Sequence, residues 1–327
     1  SEEQHRRDMQ MIKDLGANFI RISHYPQDDA ILEQCDKLGL IAWEEIPIVN
    51  YINLNKAFAE SSESQLREMI RQHYNHPSIV TWGYMNEIML GTLKKSEEPN
   101  YKFLKQQTLA LAQRLEKVLH EEDKTRVSVV AQHENLPAYD DLGLSPITDV
   151  MGWNLYQGWY GNTVNDFGKF MDNQHALHPE RPHIISEYGA GSDIRIHSLQ
   201  PECFDFSIEY QQYYIEEMMK MINERPYIAG SSLWNFIDFG SAVREESMPH
   251  MNNKGIVYAN RKPKDVCYYY QSLWSDKAVI HIASRDWENR VGLKQNKGNE
   301  SVIQPVKIYS NLSEVELFLN GKSLGKK

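Results

Sequence analysis

Apolar positions along the first 275 or so residues switch repeatedly between a helical period and short unbroken runs. Met9, Ile12 and Leu15 predict an amphipathic helix, which Gly16 ends, and the run from Phe19 to Ser23 predicts a buried strand. A helix over 29–38, closed by Gly39, precedes a strand over 40–43. Leu66, Met69, Ile70 and His73 repeat at helical spacing ahead of Pro77 and a strand over 79–82. Leu104, Leu111, Leu115, Val118 and Leu119 mark a long helix before a strand over 127–130. Residues 150–155 and 183–186 are two further short strands, Ile215, Met218, Met219 and Ile222 lie on one helix face, and a strand over 228–235 precedes a closing helix over 266–273.

Such β/α alternation predicts a parallel sheet, open or closed into a barrel. No Gly-rich phosphate loop follows the first strand, which argues against a dinucleotide-binding sheet. About seven strands fit a (β/α)8 TIM barrel whose first strand precedes Ser1. After about Lys277 the pattern changes to alternation at 279–282, 306–309 and 315–319, with Asn320-Gly321 as a hairpin-turn signal. The expected division is therefore an α/β barrel over 1–276 and part of an immunoglobulin-like β-sandwich over 277–327.

Composition narrows the partners. The 327 residues carry 35 basic and 45 acidic side chains, a formal charge of −10, and no basic block suited to nucleic acid. No run of eighteen apolar residues predicts a membrane-spanning helix. Cys35, Cys203 and Cys267 are widely spaced and odd in number, so neither a disulfide framework nor a zinc site is expected. A homo-oligomer is compatible with the sequence, and compartment is not legible in it.

Two carboxylates carry the candidate chemistry. Glu87 follows the apolar run Ile79–Asn86, and Glu187 ends the run His183–Ser186. Strand C-termini of a parallel barrel face one rim, so both glutamates would meet there. Glycoside hydrolysis needs such a pair, one carboxyl protonating the leaving oxygen and the other attacking or activating water. Either glutamate alone is equally well a structural ion-pair partner. Asn86 could donate to a sugar hydroxyl or cap a turn. His24, at a strand end, could bind ligand or brace the loop. Trp234 could form a flat sugar platform or fill the core. Tyr156, in the aromatic stretch 153–160, could hold the charge of a nucleophile.

Several segments resemble glycoside hydrolase family 2, the family of β-galactosidases, β-glucuronidases and β-mannosidases. Arg21–Pro26 is similar to its Arg-x-Ser-His-Tyr-Pro segment, and Cys35–Leu40 with Glu44-Glu45 to its Cys-Asp-x-x-Gly-Leu strand. Asn75–Glu87 is similar to its acid/base signature, Ser186–Gly189 to its nucleophile segment, and Leu233–Phe239 to its last-strand tryptophan region. The resemblance covers nearly the whole chain. It implies Glu87 as acid/base, Glu187 as nucleophile, Asn86 as donor to the sugar 2-hydroxyl, and His24, Tyr156 and Trp234 around the sugar. Residues 46–53 contain no histidine, unlike the magnesium-using relatives, so no metal or other cofactor is expected. The expected substrate is a β-galactoside within an oligosaccharide or glycoside. Asn252 and Lys254, in Asn252–Gly255, resemble the pair with which β-glucuronidases hold a uronic carboxylate, so a β-glucuronidase is the alternative; a turn before the run 256–258 explains the same residues. An inactive carbohydrate-binding barrel is the reading from another class.

Overall fold

A computed structural model describes residues 1–294 and 302–327. Helix α1 (Glu2–Asp14) leads into β1 (Phe19–Ile22), α2 (Asp29–Leu38), β2 (Ile41–Glu45), α3 (Lys56–His73) and β3 (Ile79–Asn86). The short α4 (Ile88–Leu93) precedes α5 (Tyr101–Glu122), β4 (Val127–His133), α6 (Leu136–Leu142), β5 (Val150–Asn154), α7 (Asp166–Leu177), β6 (His183–Glu187), α8 (Ile208–Asn223) and β7 (Ile228–Ser231). Asp28 caps α2 by accepting from the Ala30 amide, and Gly39 ends that helix at φ 66°, a left-handed conformation that costs glycine little.

The seven strands form one parallel sheet in the order β1-β2-β3-β4-β5-β6-β7, curved into a nearly closed TIM barrel. Between β1 and β7 a cavity of about 530 Å³ is lined by apolar side chains of α1, β1 and the segment after β7, among them Met9, Ile12, Ile22 and Leu233. Trp43, Val129, Ala131 and Val150 form a small cluster with Phe19 and Ile184. Two larger cores pack helices onto the sheet, one around Leu32, Leu66, Trp82 and Leu115, the other around Trp153, Phe167, Tyr214 and Met218. Burying these side chains supplies the main drive for folding, about 25 cal/mol per Å² removed from water.

The expected strand over 228–235 is shorter. After Ser231 the chain leaves the sheet toward an antiparallel hairpin of β8 (Phe239–Glu245) and β9 (Pro249–Asn252) that sequence periodicity does not reveal. Helix α9 (Asp265–Trp274) closes the barrel region. The remaining strands pair antiparallel: β10 (Ile280–Ile282) with β13 (Ile308–Ser310), β11 (Leu293–Lys294) with β12 (Val302–Ile303), and β14 (Glu316–Leu319) with β15 (Lys322–Lys326). Asn320 and Gly321 turn that last hairpin with φ of 50° and 79°, as an Asn-Gly turn requires. His281 stacks on Tyr268 at 3.7 Å and its Nε2 lies 2.7 Å from Asp265 Oδ1, tying this β region to α9.

Candidate active site

Parallel pairing places the C-terminal ends of β1–β6 on one rim. His133 aligns with Asn154 and Asn154 with Glu187, so the ends of β4, β5 and β6 are level, and Asn86, at the end of β3, aligns with Ala131 two residues below the end of β4. Gly83 permits the approach of β2 to β3, because a Cβ there would lie 2.4 Å from Trp43 Nε1. Glu87 follows β3 with φ 48° and its amide donates to Ala131 O at 2.8 Å, so the chain veers off the sheet at that residue.

One guanidinium organises the rim. Arg21, buried on β1, donates from Nη1 to Glu187 Oε1 at 2.8 Å, from Nη2 to Glu45 Oε1 at 2.9 Å, and from Nη2 to Asn86 Oδ1 at 2.9 Å. Its Nε reaches Glu45 Oε2 at 3.1 Å, and the group lies 4.6 Å from the Trp43 ring centroid. Burial opposes the charge on Arg21, but Glu45 and Glu187 outweigh it and raise the pKa. Burial likewise opposes charge on Glu45, and Arg21 and His24 outweigh it and lower that pKa. His24 Nδ1 lies 2.9 Å from Glu45 Oε1, and the His24 ring stacks on Trp234 with centroids 4.9 Å apart.

Glu187 is 5 % exposed, and its second oxygen accepts from the Tyr156 hydroxyl at 2.7 Å. Asn154 donates from Nδ2 to Asn86 Oδ1 at 3.0 Å and accepts from Ser186 Oγ at 2.7 Å. With two donors on its Oδ1, Asn86 presents its amide nitrogen as the group left to donate. Glu87 differs from Glu187. Burial first, and then the charge of Glu187, push its carboxyl up to about 7. The two carboxyl groups of this rim thus sit in unlike environments, Glu187 against Arg21 and Tyr156 and Glu87 chiefly desolvated.

Beside Tyr156 the rim is basic. Tyr160 packs on Tyr156 with centroids 5.3 Å apart, and its hydroxyl accepts from Lys254 Nζ at 2.7 Å. Lys254 is 1 % exposed, and among the described residues no carboxylate pairs with it. Burial, then the nearby charge of Arg244, push its ammonium down to about 7. Asn252 Oδ1 accepts from the Lys254 amide at 3.3 Å, fixing the turn that carries the lysine.

All eight residues expected from sequence thus lie at this rim: Glu87, Glu187, Asn86, His24, Tyr156, Trp234, Asn252 and Lys254. Arg21, Asn154, Tyr160 and Arg244 were not anticipated as site residues. A lone arginine inside the apolar run 19–22 was the available signal for Arg21. The adjacent acids separate by strand alternation: Glu45 joins Arg21, whereas Glu44 turns to the other face and accepts from His73 Nδ1 at 2.8 Å. On the opposite rim Glu116, His120 and Asp149 bring ligand atoms within 4.8 Å of one another. Tyr84 and Ser128 already donate to Glu116 there, at 2.9 and 2.7 Å.

Residues 1–279 match the family model described as glycosyl hydrolases family 2, TIM barrel domain. The chain belongs to glycoside hydrolase family 2. Residues 302–327 match a second model, described as a domain of unknown function, DUF4982. Among curated family 2 relatives, a β-glucuronidase of Bacteroides fragilis is 36% identical over 339 residues, covering 99% of this chain and 45% of that protein. Among solved structures, Bacteroides uniformis β-glucuronidase aligns with TM-score 0.95 and 60% identity over 100% of this chain and 39% of the other. Bacteroides uniformis β-glucuronidase 2, covalently bound to cyclophellitol-6-carboxylate aziridine, aligns with the same figures. The chain spans less than half the length of each of these family 2 relatives. The expected preference for galactosides gains no support from them. Their names agree instead with the alternative reading, a β-glucuronidase.

Proposed function

We propose that this chain is the catalytic barrel of a retaining β-glucuronidase acting on terminal β-D-glucuronides of oligosaccharides or glycosides, with residues 1–276 as the catalytic unit and 277–327 as the start of a separate β domain. The observation that carries the reading is Lys254, a buried side chain that lacks a carboxylate partner among the described residues and bonds to Tyr160, which packs on Tyr156, the donor to Glu187. An unpaired buried charge is costly, and a uronic carboxylate would supply the missing counter-charge. A galactoside offers only a neutral hydroxymethyl group at that carbon. The B. uniformis relative covalently bound to cyclophellitol-6-carboxylate aziridine supports the same reading.

In this mechanism Glu187 attacks the anomeric carbon while Glu87 transfers its proton to the departing glycosidic oxygen. The glycosyl ester on Glu187 carries no charge, so the second cause of the raised Glu87 pKa disappears and Glu87 becomes a readier base. It then removes a proton from water, which attacks the anomeric carbon and releases Glu187. Arg21 and Tyr156 hold the two oxygens of Glu187 in place for both steps. Asn86 donates to the 2-hydroxyl, where a hydrogen bond strengthens as charge develops at the neighbouring carbon. His24 and Trp234 form the wall against the sugar.

The test compares nitrophenyl β-glucuronide with nitrophenyl β-galactoside on the full protein. Expected are a kcat/KM at least 100-fold higher for the glucuronide, as befits a hydrogen-bonded charge pair in a buried site, and covalent labelling of Glu187 by a 2-deoxy-2-fluoro glucuronide. Preference for the galactoside, or label on another residue, would overturn the assignment.

A further inference from the structure

Beside Glu87 the rim holds a histidine that the site described above does not use. His133 ends β4. Val129 and Ala131 of that strand line the barrel interior with Trp43 and Val150, whereas Val130 packs outward with the helices. Strand alternation therefore turns His133 to the interior. Its register agrees: it pairs with Asn154, whose amide crosses the inner face of β4 to reach Asn86. The Glu87 amide is bonded to Ala131 O at 2.8 Å. His133 therefore stands two residues, about 7 Å, further up the wall to which the acid is fixed.

Tyr139 decides which ring nitrogen carries the hydrogen. Its hydroxyl accepts from the His133 amide at 3.2 Å and lies 2.8 Å from His133 Nδ1. Tyr139 is fully buried, and among the described residues Nδ1 is the acceptor within reach of its proton. A buried hydroxyl proton needs an acceptor, so Tyr139 donates to Nδ1. Burial pushes the His133 ring down to about 4, which leaves it neutral near pH 7. With Nδ1 accepting, the one ring hydrogen sits on Nε2. That Nε2–H has no acceptor among the described residues, yet unlike Nε2 of His183 and of His197 it is not sealed from solvent. It is an oriented, uncharged donor open to the cleft.

We propose that His133 is a specificity-determining residue for the leaving group, donating from Nε2 to an oxygen of a sugar aglycone. The inference rests on the glucuronidase reading above, with Glu87 as the group that protonates the departing oxygen. His24, Trp234, Tyr156 and Lys254 bound the sugar being cleaved, and they come from the segments after β1, β7, β5 and β9. The departing group therefore lies past the acid, on the side of β3 and β4. An uncharged N–H there matches a hydroxyl or ring oxygen. Against a flat apolar aglycone the same donor would lose its water and gain nothing.

The experiment measures kcat/KM of the full protein and its His133→Ala and His133→Gln variants on nitrophenyl β-glucuronide and on two disaccharides, glucose carrying a β-glucuronosyl group on its 3- or its 4-oxygen. The nitrophenyl group has no hydroxyl or ring oxygen beside the scissile bond. The unmodified protein is expected to hydrolyse at least one disaccharide. His133→Ala should lower kcat/KM on that disaccharide roughly 3- to 10-fold more than on the nitrophenyl substrate, the range for one neutral hydrogen bond. His133→Gln returns an N–H of similar reach and should recover part of that difference. Equal losses on both substrates would mark His133 as a brace for Glu87 and refute the proposal. So would a disaccharide rate unchanged in His133→Ala, a glutamine variant as impaired as the alanine, or an unmodified protein that cleaves the nitrophenyl substrate but neither disaccharide. Failure of the underlying reading shows separately, as an unmodified protein inactive on nitrophenyl β-glucuronide itself.

Discussion

Replacing Glu87 by glutamine should stabilise the protein at alkaline pH while stopping hydrolysis. The carboxyl moves from 4.5 in the unfolded chain to about 7 in the fold, driven first by burial and then by Glu187. The sign follows from linkage: the folded state holds the proton more tightly, so its stability is full at low pH and declines as pH rises from 4.5 to about 7. At about 1.36 kcal/mol per pKa unit, ionising Glu87 in place costs up to about 3 kcal/mol above pH 8, of which about 2.5 kcal/mol develops between pH 5 and pH 8. Glutamine keeps the shape and never ionises, so it escapes that cost. Urea denaturation of the wild type and Glu87→Gln at both pH values measures the difference, provided the slopes agree. The gain at pH 8 should exceed the gain at pH 5 by roughly 2 kcal/mol. An equal effect at both pH values, or a variant less stable at pH 8, would refute the claim that burial and Glu187 set the Glu87 carboxyl. Loss of glycoside hydrolysis in the same variant ties the stabilising group to the chemistry.

Three further outcomes are expected. The kcat/KM for glucuronide should fall as pH rises past about 7, because the first step needs protonated Glu87; a pH–rate profile checks this. Tyr156→Phe removes the donor to Glu187 Oε2, and should lower kcat roughly 10- to 100-fold, with little change in melting temperature. Glu45→Ala leaves Arg21 buried with one carboxylate in place of two and should cost about 3 kcal/mol of stability by urea titration.

The barrel was legible because most of its parallel strands are covered on both faces and so read as short apolar runs. The paired glutamates were legible because each interrupts the end of such a run. The β8–β9 hairpin was not, since both of its strands are largely exposed and carry no clean alternation. Arg21 was hidden for a different reason: its meaning depends on Glu45, Asn86 and Glu187, which meet only in space. Sugar preference stayed ambiguous because a turn sequence such as Asn252–Gly255 fixes where a lysine goes. Whether any carboxylate waits beside that lysine depends on how the hairpin just before it folds and on the loop carrying Tyr160, which is distant from it in sequence.

Arg21 has a mechanical consequence. It belongs to β1, the strand at the open seam, which has a backbone partner only in β2 among the described residues. Through its side chain it is nevertheless bolted across the barrel mouth to β6 by way of Glu187. Any movement of that border strand therefore drags on the attacking carboxylate. Substitutions along the cavity wall at Met9, Ile12 or Ile22 will be felt as changes in turnover, because the seam and the nucleophile share one lever.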